Sequence, residues 1–93
     1  MANLRTLKKD IDYLVEEVLT DSYLTLHFHP EKREQVVAVM RKAVDVRNDL
    51  FAAVNNPPEK NNRSLVKKHY NHIRRDMFTK VDGLFGELST IVK

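Results

Sequence analysis

Between Val66 and Ile91 the chain places an apolar residue at every third or fourth position without a gap: Val66, Tyr70, Ile73, Met77, Val81, Leu84, Leu88 and Ile91. Steps of three and four return to one side of an α-helix, whereas a strand would need steps of two. No proline interrupts residues 62–93. The pattern predicts one helix over residues 62–92. A helix with a single apolar stripe must bury that stripe against other elements, so the rest of the chain is read as what it packs on.

The expectation is an all-α fold. With only two glycines and three prolines, the chain lacks the residues that a turn-rich β fold consumes. Helix 1 is expected over residues 3–26, with Asn3 as its N-cap. Leu4, Leu7, Ile11, Leu14 and Val18 form its stripe, with Val15, Leu19, Ser22 and Leu26 as a second row. Tyr13 falls opposite and is expected to be exposed. The segment 23–29, YLTLHFH, alternates apolar and polar residues, which also fits a strand. A lone strand would leave its backbone groups unpaired. The segment is therefore read as the end of helix 1 and an apolar turn, with Leu24 and Phe28 plugging the base of the bundle.

Helix 2 is expected over residues 30–55, since Pro30 suits a first helical position. Its core rows are read as Val36, Met40, Ala43, Leu50 and Val54, flanked by Val37, Val44 and Phe51. Arg47 sits where the rows cross. An arginine there is either buried against an acid of helix 1 or laid along the core with its head in water, and the cost of burying charge favours the second. Asn55 and Asn56 are expected to close the helix in the left-handed conformation, before Pro57 and Pro58. The short polar connection makes helices 2 and 3 antiparallel, with Asn61 or Asn62 capping helix 3. The expected architecture is one domain, residues 1–93, an up-down-up antiparallel three-helix bundle with small crossing angles. Helix 3 is longest and bends, if anywhere, near Gly83 and Gly86, each either a kink or a point of close approach.

Several function classes have little to stand on. No cysteine is present, which removes disulfides and thiolate metal sites. The carboxylates are scattered over polar faces, no glycine-rich phosphate loop occurs, and a bundle this small has little room for a deep pocket. No catalytic residue and no cofactor are assigned. His27 and His29 belong to one end of the bundle and His69 and His72 to helix 3, more than ~20 Å away at ~1.5 Å per residue. No metal ligand is assigned, and a small metal-binding bundle is the third-ranked reading, through His69, His72 and Asp76. The N-terminus has no continuous apolar core and no run approaches the ~20 residues of a membrane span. A cytoplasmic protein without a membrane partner is expected.

Charge is unevenly spread. Residues 1–29 carry three basic and five acidic groups, whereas residues 62–93 carry seven and three. Two partner readings follow. The favoured one is a non-enzymatic interaction or structural module that pairs with itself as a homodimer, or with another protein. Its interface is Phe78, Val81, Phe85, Leu88, Ile91 and Val92, on a stretch of helix 3 expected to project past the helix 1–helix 2 turn; the competing reading is a monomer in which Leu24 and Phe28 of that turn cover part of this surface. The alternative is a nucleic-acid binding module using Lys67, Lys68, Asn71, Arg74 and Arg75, a basic face without an acid. Against it stands the possibility that this face only answers the acidic helix 1.

Overall fold

The computed structural model describes residues 4–57 and 61–93. Its elements are α1 (Leu4–Phe28), a 3₁₀ turn η1 (Pro30–Lys32), α2 (Arg33–Asn55) and α3 (Arg63–Ile91). The three helices all pack on one another in an up-down-up bundle, with no strand among the described residues. The Cα atoms span 52 × 18 × 18 Å. A 29-residue α3 is about 43 Å long at ~1.5 Å per residue, so a cross-section of 18 Å holds all three helices only if they run close to the long axis.

The core follows the apolar stripes. Leu7, Ile11, Val15 and Val18 of α1 meet Val39, Ala43, Leu50 and Val54 of α2 and Ile73, Met77, Val81, Leu84 and Leu88 of α3. Each of the larger aliphatic side chains gains about 1.5–3 kcal/mol from burial, and together they hold a chain that lacks disulfides. Ser22 is the buried polar residue among them, and its hydroxyl donates to the Val18 carbonyl at 2.7 Å. In α2 the stripe differs from expectation. Val39 is buried while Met40 is half-buried and Val44 is exposed. The reason is that α2 has two neighbours. Val39 and Val46 lie on its α3 flank, Met40 and Val44 on its α1 flank, and the centre of the buried face falls between them.

Both breaks in the helical path precede proline. His29, before Pro30, has φ −133° and ψ 63°, and Asn56, before Pro57, has φ −126° and ψ 64°. A proline ring disfavours the helical region for the residue before it. Asn56 is therefore not left-handed, and the end of α2 is closed differently. Its amide donates from the backbone to Ala53 at 3.3 Å and from the side chain to the Ala52 carbonyl at 2.7 Å. The segment 23–28 is helical, so α1 runs two residues further than the pattern indicated. At α3, Asn62 is the N-cap, its side chain accepting from the Leu65 amide at 3.2 Å. The Asn3 cap and the residues Pro58, Glu59 and Lys60 lie outside the described residues. Helix α3 is continuous through Gly83 and Gly86, and a Cβ at either would meet nothing within 4 Å. Neither glycine is a close approach inside the molecule.

Candidate interaction surfaces

Three ion pairs mark the axial register. Arg74 Nη1 lies 3.2 Å from Asp10 Oδ2, Arg47 Nε lies 2.7 Å from Asp12 Oδ1, and Lys42 Nζ lies 2.6 Å from Glu87 Oε1. The acidic helix is thus answered from both neighbours within one molecule. Arg47 combines the two readings given for it. It pairs with an acid of helix 1, yet its side chain remains 40% exposed, and its guanidinium lies 4.3 Å from the centre of the Phe51 ring.

This register moves the extra length of α3 to the other end of the bundle from the one expected. Phe28 and His29 at the end of α1 and Val92 at the end of α3 line one hollow. The C-terminal end of α3 is therefore level with the α1–α2 turn and does not project past it. At the opposite end His69 Nε2 donates to the Ala53 carbonyl at 2.7 Å. Arg63 is six residues before that contact, about 9 Å, while α2 continues only two residues beyond Ala53, about 3 Å. The first turns of α3 overhang the end of α2. No residue of α3 before Ile73 is buried.

The six proposed interface residues divide. Val81 and Leu88 are core residues, 4% and 5% exposed, and reach only the floors of surface hollows. Phe85 and Ile91 are half-buried against the core. Phe78 and Val92 are open, 55% and 43% exposed. Leu24 and Phe28 do not plug the base of the bundle. They are 52% and 71% exposed, and they line the same hollow as Phe85 and Val92. A second hollow, lined by Phe78, Thr79, Val81, Asp82 and Phe85, adjoins it through the shared Phe85. The result is an apolar strip across the α1–α3 face. Leu24 and Phe28 lie beside the helix 3 surface that the monomer reading has them cover, but they remain exposed there and widen it. A further apolar hollow on the α1–α2 face is lined by Leu19, Tyr23, Val37, Met40 and Val44, with Arg41 and Asp45 at its rim.

The basic face also divides. Arg74 is half-buried and engaged with Asp10. Lys67, Lys68, Asn71 and Arg75 are exposed, and the three cations make no ion pair with a described residue. Asp76 is paired with Lys80 at 3.2 Å, His69 is committed to Ala53, and His72 is exposed. Among the described residues no three His, Cys, Asp or Glu side chains gather around a common point, and no helix is long and apolar enough to cross a membrane. Tyr13 is exposed on the outer side of α1, and its hydrogen bond to Glu17, with the negative charge of that carboxylate, holds the phenol above its usual pKa. No protein-family model matches the chain, and neither a curated protein nor a solved structure matches it at significant similarity.

Proposed function

We propose that this protein is a non-enzymatic interaction module that pairs with a second copy of itself through the α1–α3 face. The observation that supports the reading is the strip Phe78, Phe85 and Val92 with Leu24 and Phe28 beside it. At about 200 Å² for a fully exposed aromatic side chain, Phe28 and Phe78 alone leave on the order of 250 Å² of apolar surface in water. With their neighbours the patch reaches the size that marks an interaction site on a soluble domain.

A second copy suits the strip for a geometric reason. Phe78, Phe85 and Val92 are seven residues apart, the repeat by which one helix packs along another. A two-fold axis near Phe85 sets Phe78 of one copy against Val92 of the other, so the row is its own complement, as an isologous interface requires. A domain of this size also gains stability from a partner. The length mismatch between helices carries no part of this argument, since the overhang of α3 lies at the other end. Sedimentation equilibrium at micromolar concentration is the test. A mass near twice 10.9 kDa is expected, and a mass of one chain at all concentrations would overturn the proposal.

A further inference from the structure

The up-down-up path sets the starts of α1 and α3 at one end of the bundle, and the Arg74–Asp10 pair at 3.2 Å leaves the start of α3 about 8 Å beyond that of α1. Each start is basic. Arg5 and Lys9 precede Asp10 on α1, and Arg63, Lys67 and Lys68 precede Arg74 on α3, with Arg75 just after it. These six side chains are exposed and make no ion pair with a described residue. Residues 4–9 and 61–75 contain no acid. Asp10 and Asp12, the first acids along α1, are already engaged by Arg74 and Arg47. In sequence the two groups lie more than fifty residues apart, and only the fold brings them to one end of the bundle, where α2 contributes the exposed Asp49 and the six cations outnumber it.

A solvated surface explains scattered charges, but not this placement. Neither α1 nor α3 has an acid in its first turn. Cations near a helix start are unfavourable against the helix dipole, where acids would be stabilising. Arg5 and Arg63, in those first turns, therefore stand against the dipole, a cost that an anionic partner would relieve. The outward face of α3 here, Ser64, Lys67, Lys68, Asn71, His72 and Arg75, offers mostly donors, with Leu65 the single exposed large apolar side chain beside them. That composition fits a row of phosphates better than a bilayer, which an amphipathic helix enters through an apolar face.

We propose that this cationic end binds the phosphate backbone of nucleic acid without reading its sequence, using Arg5 and Lys9 of α1 together with Arg63, Lys67, Lys68 and Arg75 of α3. The proposal is independent of self-association.

The test is fluorescence anisotropy of the full chain with a labelled random duplex of about 20 base pairs, at about 50 to 200 mM salt. Four to six phosphate contacts give a slope of log Kobs against log salt of about −4 to −5, a loss of a hundredfold or more over that range. Arg5→Gln with Lys9→Gln, and separately Lys67→Gln with Lys68→Gln, should each reduce the slope by about 2. Circular dichroism should be unchanged for both, since all four side chains are exposed. Lys42→Gln, far along the bundle, should leave the slope unaltered. No binding at the lowest salt would overturn the proposal. So would an unchanged slope in the α1 pair, which would confine any contact to α3. Binding to phosphatidylserine vesicles but not to duplex would also overturn it, in favour of a membrane surface.

Discussion

His69 donates from Nε2 to the carbonyl oxygen of Ala53 at 2.7 Å, across the junction between the last turn of α2 and the overhanging start of α3. The bond is the second on that carbonyl, which lies in the last turn of α2 and otherwise accepts only the longer 3.3 Å bond from the Asn56 amide. It also fixes the proton on Nε2, because a carbonyl can only accept. With Asn62 capping the first turn, His69 and the neighbouring Tyr70, which packs against the core, tie the start of α3 to the rest of the bundle before the buried stripe begins at Ile73.

Replacing His69 by alanine should therefore cost about 0.5–1.5 kcal/mol in urea unfolding, the usual worth of one hydrogen bond. Amide exchange should rise across residues 63–69 and stay unchanged around Leu84. Uniform loss of protection along α3 would show that the bond has no local role.

Arg47 and Asp12 are 40% and 46% exposed, so water screens their attraction despite the 2.7 Å contact. An exposed pair contributes at most about 1 kcal/mol. Arg47→Met should change stability by less than that, because the stem still covers Phe51. Arg47→Ala should cost more, since the stem and the guanidinium over the ring are both lost. A loss above ~2 kcal/mol for the methionine variant would mean that the pair acts as a buried one.

Gly83 and Gly86 sit inside a continuous helix with open space where a Cβ would go. At ~100° per residue, Gly83 points nearly opposite to Phe85 and Gly86 about a quarter turn from it. Neither lies on the proposed interface. Changing both to alanine should stabilise the protein by about 1–2 kcal/mol and leave its mass in solution unchanged. A loss of stability would reveal a close packing partner at the glycines.

Within the proposed dimer, Phe78→Glu is the cleaner disruption. Phe78 is 55% exposed, so a carboxylate there meets water in the single chain and an apolar partner in the pair. It should weaken association by at least tenfold without lowering monomer stability. Phe85→Glu should also dissociate the pair, but with a stability loss, because Phe85 packs on the core. Tyr13→Glu, on the outer side of α1, should alter neither property.

Spacing alone shows which residues of α1 and α3 turn toward a core, and in α2 it gives that direction to within part of a turn, since Val39 is buried where the spacing points to Met40. The three-and-four spacing that runs through Ile11, Ala43 and Met77 defines an angle around each helix, and that angle survives folding because it is a property of the helix alone. The prolines after His29 and Asn56 fixed the breaks by local sterics, and Asn62 supplied its cap from its own side chain. Periodicity says nothing about how far one helix is displaced along another. That displacement is chosen by contacts between helices, such as Arg74 with Asp10 and His69 with Ala53. For this reason the tertiary structure alone decided that α3 overhangs at its basic start and that Leu24 and Phe28 face outward beside Phe85. The same displacement sets Arg5 about level with His69 and Lys9 about level with Ile73, at the end of the bundle that carries Lys67 and Lys68.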